Sequence, residues 1–333
     1  MEIERILRRS ISVAVWIAAL AAQIASEAWS QPAWRPDKAV EVITSSAAGG
    51  SNDQVARVMQ KILQDEKLLT VPINVINKPG GNQTLAPAYL SQHAADPHYL
   101  FLANTNLLAN HIAGVTPMNF SDFTPISVLL IEHSVFTVRA DSPIKNLRDL
   151  FERLKADPAS MSIGVVSRGG TNYLTLYLAA KSAGVDPRKL KTVVFKTNAE
   201  SMTSMVGGHL QMVASSVSSA LPQVRAGNAR MLAIAAPRRM TGALAEVPTL
   251  GEQGVEVSLA SWRAIFGSKG MTPTQVAFWE GALARMAATD EWKKQLEGHH
   301  WAGHFLRSGD MAKYMEHQYN VNKAVMAELG LAK

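Results

Sequence analysis

The amino-acid sequence predicts an α/β protein with two domains and a ligand crevice between them. Short apolar segments rich in β-branched residues alternate with segments whose apolar residues recur at helical spacing. This pattern is typical of a mostly parallel sheet covered by helices. The alternation begins afresh near residue 146, and about 300 residues are too many for one ordinary core. We therefore expect two domains.

The first block of the chain alternates strand and helix. Its predicted elements are a strand at 40–44, a helix through Val55, Met59 and Ile62, a strand at 71–76, a helix at 83–94 and a strand at 99–103. The apolar stretch from Ile126 to Val138 is interrupted by Glu132-His133. This break predicts a strand that passes from one domain into the other.

The second block has strands and helices of its own. They are predicted at 146–155 (helix), 161–166 (strand), 172–183 (helix), 192–195 (strand), 200–206 (helix), 212–215 (strand), 218–226 (helix) and 231–235 (strand). Three helices follow, the first opened by Thr272-Pro273-Thr274-Gln275, which places an N-cap, a first-turn proline and a capping-box glutamine in register. The predicted helices are 273–286, 290–298 and 308–329, with Met311, Met315 and Tyr319 on the buried face of the last.

We expect the C-terminal helices to return to the first domain. The predicted domains are thus residues 31–134 with 259–333, and residues 135–258. Residues 1–30 resemble an export signal, because Arg5, Arg8 and Arg9 precede a short apolar run that ends before Ala28-Trp29-Ser30. Cleavage before Gln31 would deliver the protein to the periplasm. A retained membrane anchor and export through a twin-arginine signal are the alternatives.

Composition excludes several classes of function. The chain has no cysteine, so disulfides, thiolate metal sites and lipid attachment at a cysteine are excluded. The net charge is +6 and favours encounter with anions. The basic residues are scattered rather than clustered, which argues against a nucleic-acid partner.

Two loops repeat one short pattern. Ser46 to Asn52 follows the first strand, and Ser167 to Asn172 follows the strand that ends at Val166; both contain Gly-Gly-[Ser/Thr]-Asn and both open a helix. A helix N-terminus presents unpaired N–H groups that hold an anion, and glycine lets the backbone approach it closely. Because loops at the carboxyl ends of strands line the crevice of α/β proteins, each domain would contribute one anion grip.

The predicted ligand-binding residues lie in these loops and in others that follow strands. They are Ala48, Gly49, Gly50, Ser51, Asn52, Asp53, Gly81, Asn104, Thr105, Ser167, Arg168, Gly169, Gly170, Thr171, Asn172 and Thr197. Alternative roles stay open: either Ser51 (in a capping box with Gln54) and Thr171 bind the ligand, or they are plain helix caps. Asp53 either stabilises a first helical turn or accepts hydrogen bonds from the ligand, and Arg168 either binds a carboxylate or is solvated.

Several motifs in one order resemble the Bug family, the TctC-like periplasmic receptors of tripartite tricarboxylate transporters. They are Gly49-Gly50-x-x-Asp53-x-x-Ala56-Arg57, Asn77-Lys78-Pro79-Gly80-Gly81, Asp122-Phe123-Thr124-Pro125-Ile126, Gly207-Gly208-His209-Leu210, the segment 226–233, the segment 247–254, and Trp262 before Gly270-Met271-Thr272-Pro273. The resemblance implies two α/β lobes of the periplasmic binding protein type II kind, hinged and closing like a flytrap. It also implies a carboxylate gripped mainly by backbone N–H groups and hydroxyls of the two glycine loops.

By this resemblance the protein captures an organic acid or amino acid for integral membrane transporter subunits. We expect it to be a monomer. The chain departs from the family at Ser45-Ser46-Ala47-Ala48, where an aromatic and a proline usually precede Gly-Gly, and at Phe195-Lys196-Thr197, where Tyr-Lys-Gly is usual. Both departures concern the identity of the ligand. A receptor that reports its ligand to a sensor kinase would show the same sequence features.

An enzyme and a metal site are the remaining alternatives. A secreted α/β hydrolase would need an activated nucleophile, and the chain contains no Gly-x-Ser-x-Gly elbow. His299, His300 and His304 form a dense histidine group, yet Gly298 and Gly303 argue against the continuous helix that would align them. The prediction is a binding protein with no catalytic residues, metal or cofactor.

Overall fold

The computed structural model describes residues 34–333 except 168, 258 and 260. The predicted export signal, its cleavage site and Arg168 therefore lie outside the described residues. Residues Pro36–Lys333 form one compact unit. Within the described part of the chain, no helix combines the length and the apolar character needed to cross a bilayer.

The described chain alternates strands and helices. The strands are β1 (Val40–Thr44), β2 (Ile73–Asn77), β3 (Tyr99–Ala103), β4 (Thr124–Glu132), β5 (Ser134–Arg139), β6 (Ser162–Val165), β7 (Lys191–Val194), β8 (Met212–Ser216), β9 (Ala229–Ile234), β10 (Ser261–Gly267) and β11 (Ala302–Arg307). The α-helices are α1 (Ser51–Asp65), α2 (Leu85–Ser91), α3 (Asn106–Ile112), α4 (Leu147–Ala156), α5 (Thr171–Ser182), α6 (Asn198–Val206), α7 (Val217–Arg225), α8 (Pro273–Ala288), α9 (Asp290–His299) and α10 (Ser308–Glu328).

The strands form two mixed sheets. One has six strands in the order β11-β4-β10-β3-β1-β2, and the other has five in the order β7-β6-β8-β5-β9. The βαβ units pair in parallel, β1 with β2 and β3, and β6 with β7 and β8. Antiparallel pairs join β10 to β3 and β4, β11 to β4, and β5 to β8 and β9. The fold is α/β as predicted, but its sheets are less purely parallel than the strand–helix alternation indicates.

The chain passes from one sheet to the other at His133. β4 ends at Glu132 in the six-stranded sheet, and β5 begins at Ser134 in the five-stranded sheet. The predicted break at Glu132-His133 is thus the point where a single apolar stretch changes sheets. The buried Glu132 side chain lies at this crossing, 1% exposed.

The C-terminal segment returns to the six-stranded sheet through β10 and β11, two strands that the sequence analysis did not predict. Arg263 interrupts the apolar pattern of β10, and β11 is a half-exposed edge strand whose register shifts between Gly303 and Leu306. The short helix α3 was also missed. The three predicted C-terminal helices are present as α8, α9 and α10.

Local sequence signals explain the ends and the packing of these C-terminal helices. Thr272 accepts a hydrogen bond from the N–H of Gln275, and the Gln275 side chain accepts one from the N–H of Thr272, so the predicted capping box is formed. On α10, Met311 and Met315 are fully buried and Tyr319 is half-buried. The apolar face of this helix is therefore core, as its spacing predicts.

Candidate functional site

A cavity of about 640 Å³ lies between loops of the two sheets. On the side of the six-stranded sheet it is lined by parts of segments 45–52, 79–83 and 104–106, which follow β1, β2 and β3, and by Ser261 and Arg263 of β10. On the side of the five-stranded sheet, parts of segments 166–173 and 194–198 follow β6 and β7. The cavity therefore lies at the carboxyl ends of the parallel strands, where α/β proteins bind ligands.

Most of the residues nominated from the sequence meet at this cavity. Those that line it are Gly50, Ser51, Asn52, Asn104, Thr105, Ser167, Gly170, Thr171, Asn172 and Thr197. The other described nominees, which do not line it, are Ala48, Gly49, Asp53, Gly81 and Gly169. The tertiary structure thus brings both glycine loops to one place.

Several lining residues escaped the sequence analysis. Asn106 and Asn198 are the first residues of α3 and α6, so their position after a strand was an available signal. Tyr173 follows the second glycine loop and was hidden within the predicted helix. Ser261 and Arg263 belong to the unpredicted strand β10 and carried no such signal.

The repeated sequence pattern corresponds to a repeated backbone turn. Gly49 and Gly169 have positive φ values of 78° and 87°, which favour glycine. The next glycines, Gly50 and Gly170, are extended and are the N-caps of α1 and α5. Gly50 N–H donates to Ala47 O at 3.0 Å, and the corresponding bond in the other loop, from Gly170 N–H to the Ser167 carbonyl, is 3.3 Å.

Both turns leave backbone donors available at the start of a helix. The N–H groups of Ser51 and Asn52 in α1, and of Thr171 and Asn172 in α5, make no hydrogen bond to described residues. Neither helix has a side-chain cap. Two helix N-termini with open N–H groups and positive dipole ends therefore border one cavity.

The hydroxyls that follow each cap residue are used elsewhere. Ser51 is not an N-cap, so the predicted capping box with Gln54 is wrong: its Oγ donates to Glu132 Oε2 at 2.8 Å and accepts from Arg263 Nη2 at 2.6 Å. Thr171 shares a hydrogen bond of 2.6 Å with the hydroxyl of Thr105. In both loops glycine is the N-cap, and the residue with the hydroxyl is the first residue of the helix.

Side chains of the two sheets touch across the cavity. Thr105 follows β3 and Thr171 follows β6, so their hydroxyl pair joins loops of different sheets. A second hydrogen bond also joins loops of different sheets: Ser167 Oγ, after β6, donates to Asn82 Oδ1, after β2, at 3.1 Å. The two sets of loops are therefore closely apposed in this structure.

Asp53 stabilises the conformation of the first glycine loop. Its buried carboxylate accepts hydrogen bonds from the N–H of Gly49 (2.8 Å), from Arg57 Nε (2.9 Å) and from Asn77 Nδ2 (2.8 Å). Burial alone would raise the pKa of Asp53, but the bonds from Arg57, Asn77 and Gly49 outweigh it and lower that pKa. Since its oxygens are engaged by the protein, the geometry favours the structural alternative.

Amide side chains tie the loops of the six-stranded sheet together. Gln83 Oε1 accepts from Ser45 Oγ at 3.0 Å and from Asn104 Nδ2 at 3.1 Å. Longer contacts of 3.4 Å link Asn52 to Ser45 and to Asn104. This network joins the segments after β1, β2 and β3 and gives the cavity a wall of neutral donors and acceptors.

Among the described lining residues, Lys196 and Arg263 carry charge and none is acidic. Lys196 is exposed, whereas the Arg263 side chain is 5% exposed and forms an ion pair with Glu132. The cavity combines cations, helix N-termini and neutral amides, which suits an anionic ligand.

The histidine group does not form a common face. α9 ends at His299, His300 has a left-handed φ of 54°, and His304 lies in β11. The His299 ring stacks on Trp301 with ring centroids 4.3 Å apart. No cluster of three or more potential metal ligands occurs in the described part of the chain.

Two sheets, each followed by a glycine-opened helix, meet at one ligand-sized cavity, an arrangement that defines a two-sided binding site of the kind found in solute-binding proteins. The model of the tripartite tricarboxylate transporter family receptor matches residues 55–331, so the chain belongs to this family. This confirms the resemblance drawn from the sequence motifs. The family is one of receptors, which agrees with the prediction that the protein is not an enzyme.

Individual relatives cover almost the whole chain. A protein of Cupriavidus necator, the "UPF0065 protein in gbd 5'region", is 27% identical over 325 residues, which are 97% of this chain and 95% of the relative. A TctC solute-binding protein from Polaromonas is 24% identical, with a TM-score of 0.67 over 88% of this chain and 99% of that structure.

Two further solved structures contain bound acids. MatC from Rhodopseudomonas palustris, solved with malate, is 22% identical with a TM-score of 0.77 over 87% of this chain and 99% of its own. Another R. palustris protein, solved with adipate, is 22% identical with a TM-score of 0.81 over 89% of this chain and 99% of its own. At these identities the likeness establishes the fold.

Proposed function

We propose that the protein captures a small carboxylate-bearing molecule in the cavity and delivers it to a tripartite tricarboxylate-type transporter. The observation that carries the proposal is the pair of matching turns at Gly49-Gly50 and Gly169-Gly170, which open helices from two different sheets onto one cavity. Malate and adipate in two proteins of the same fold support a carboxylate as the ligand.

Backbone N–H groups would hold the carboxylate. Ser51 and Asn52 would donate from α1, and Thr171 and Asn172 from α5. Hydrogen bonds to a charged group contribute about 1.5–3 kcal/mol each. Four such bonds contribute about 6–12 kcal/mol, a range that includes the roughly 8 kcal/mol of a micromolar affinity.

The two sheets would belong to two lobes, residues 31–134 with 259–333, and residues 135–258. The change of sheet at His133 supports this division, because it provides a connection about which the lobes can move. Opening would break the Thr105–Thr171 hydrogen bond and separate the two glycine loops. A ligand bound to both loops would therefore favour the closed state.

We also propose a periplasmic location, with cleavage before Gln31, and a monomeric receptor that meets integral membrane transporter subunits. Mass spectrometry of the protein from a periplasmic extract should give a chain that begins at Gln31. Cross-linking in membranes should capture transporter subunits; capture of a sensor kinase instead would favour the signalling alternative.

A thermal-shift panel of mono-, di- and tricarboxylates, amino acids and aromatic acids tests the binding function. A ligand at one hundred times its Kd raises the free energy of unfolding by about 2.7 kcal/mol. Any compound that stabilises the protein should be recovered chemically intact after incubation. A changed compound would favour an enzyme.

Substitution of the cap glycines locates the site. The double variant Gly50→Leu with Gly170→Leu should abolish the thermal shift, because a Cβ at either position meets atoms within 3 Å. Gly298→Leu is the matched control, since a Cβ there has no neighbour within 4 Å. An undiminished shift in the double variant would mean that the ligand binds elsewhere.

A further inference from the structure

A buried ion pair lies beside the cavity. Glu132, the last residue of β4, pairs with Arg263 of the neighbouring strand β10, and their side chains are 1% and 5% exposed. Arg263 lines the cavity and Glu132 does not. The positive charge of Arg263 is therefore accessible to a ligand, whereas the compensating negative charge of Glu132 is not.

Hydrogen bonds fix the Glu132 carboxylate in place. Oε2 accepts from Arg263 Nη2 and from Ser51 Oγ, and Oε1 accepts from Ser218 Oγ of α7. Ser51 also accepts from Arg263 Nη2 at 2.6 Å, so the three side chains form a closed triangle at the start of α1. The carboxylate has no freedom to leave Arg263 without breaking contacts on both of its oxygens.

The contribution of the Glu132–Arg263 ion pair to the stability of the fold does not by itself explain why the pair is present. A buried ion pair often contributes no more than well-packed apolar residues of the same size. Arg263 Nε, moreover, is buried and has no hydrogen-bond partner among the described residues. The pair is better understood through its effect on the charge of the cavity.

The described lining leaves little net positive charge for a ligand. Glu132 offsets Arg263, and Lys196 is exposed, where water and salt screen it. Four helices begin at the cavity, but side chains cap two of them: Asn104 Oδ1 accepts from the first N–H of α3, and Thr197 Oγ1 accepts from the N–H of Glu200 in α6. The open N-termini of α1 and α5 remain, each equivalent to roughly half a positive charge. Together they balance about one carboxylate.

We infer that Glu132 determines the charge of the ligand: by neutralising Arg263 it makes the cavity select molecules with one carboxylate over those with two. The inference rests on the proposed binding function and specifies its ligand class. It predicts that this receptor differs from the neighbours solved with malate and adipate, both of which are diacids.

Adipate and its monomethyl ester are matched probes, because they share one chain length and differ by one charge. Isothermal titration calorimetry of the wild-type protein should give a Kd for the monoester at least as low as that for adipate. Glu132→Gln leaves the Arg263 charge uncompensated and should shift the ratio of the two Kd values about tenfold towards adipate. The ratio is informative because a general loss of stability affects both probes alike.

Three further variants isolate the charge effect. Arg263→Gln leaves Glu132 unpaired and should shift the ratio about tenfold the other way, which also provides a test if Glu132→Gln fails to fold. The double variant with both changes restores neutrality and should return the wild-type ratio. Ser218→Ala removes a hydrogen bond to Glu132 but no charge, and should leave the ratio unchanged.

Two results would overturn the inference while the proposed function stands: tighter binding of adipate than of its monoester by the wild type, or one constant ratio in all the charge variants. If the folded wild type binds no acid of the thermal-shift panel, the proposed function is overturned, and the inference with it.

Discussion

Substitution of Gly170 by alanine probes whether the apposed loops are the ligand-binding state. The backbone at Gly170 is extended, with φ −70° and ψ 162°, so alanine introduces no backbone strain. Its Cβ, however, would lie 2.7 Å from Asn106 Oδ1 and 3.3 Å from the Ser167 Cβ. Asn106 opens α3 on the side of the six-stranded sheet and is 6% exposed, so its amide has little room to withdraw.

The cost follows from this geometry. An extra methyl group in a well-packed contact costs about 1–3 kcal/mol. Because Gly170 and Asn106 belong to loops of different sheets, the cost falls on the state in which those loops meet. If the ligand binds that state, its affinity should fall by about 5- to 140-fold, since 1.4 kcal/mol corresponds to tenfold.

Calorimetric titration of Gly170→Ala, Asn106→Ala and the double variant forms a thermodynamic cycle. Removal of the Asn106 amide should relieve the clash, giving a coupling energy of about 1 kcal/mol or more between the two sites. Gly298→Ala is the control: its Cβ has open space, affinity should be unchanged, and the helix should gain about 0.5–1 kcal/mol. Wild-type affinity in Gly170→Ala, or a cycle without coupling, would refute the reasoning.

Three other changes have defined outcomes. Valine at either Thr105 or Thr171 leaves a buried hydroxyl unpaired and should weaken ligand binding by about 1–3 kcal/mol, whereas valine at both should be nearly neutral in the same titration. Burial raises the pKa of Asp96, but hydrogen bonds from Lys38 and His98 outweigh it and lower the pKa from 3.8 to about 2. The ionised Asp96 therefore stabilises the fold above pH 3.8, and this stabilisation is lost as the pH falls towards 2. In urea unfolding, the free energy of unfolding of Asp96→Asn should fall by about 1–2 kcal/mol less than that of the wild type over this pH range. Met315→Ala should cost about 2–5 kcal/mol of unfolding free energy by urea titration, and the exposed Glu316→Ala less than about 0.5 kcal/mol.

Features that depend on near neighbours in the chain were predictable. The strand at 99–103 has the bounds that its apolar run predicts, and the capping box at Thr272 forms because its partners are three residues apart. The repeated Gly-Gly-[Ser/Thr]-Asn pattern indicates the shared turn, since the positive φ of its first glycine is a local backbone property that favours glycine. Glu132-His133 anticipates the change of sheet because a charged residue is costly inside an apolar strand.

Features that depend on contacts between distant residues required the tertiary structure. No strand was predicted at Ser261–Gly267. β10 is defined by its pairing with β3 and β4, and the charge of Arg263 is compensated within it by Glu132, 131 residues earlier. The alternative role of Ser51 as a helix cap was wrong for the same reason, because its hydroxyl bonds to that ion pair and Gly50 is the N-cap.

The sequence by itself determined most helices and strands, the change of sheet and the two glycine-opened helix starts, because hydrophobic periodicity and backbone conformation act over a few residues. The tertiary structure decided which side chains those starts face, which partners their hydroxyls bind and how the buried charges are balanced. Those outcomes depend on distances through space, and the packing of two sheets sets such distances between residues far apart in the chain.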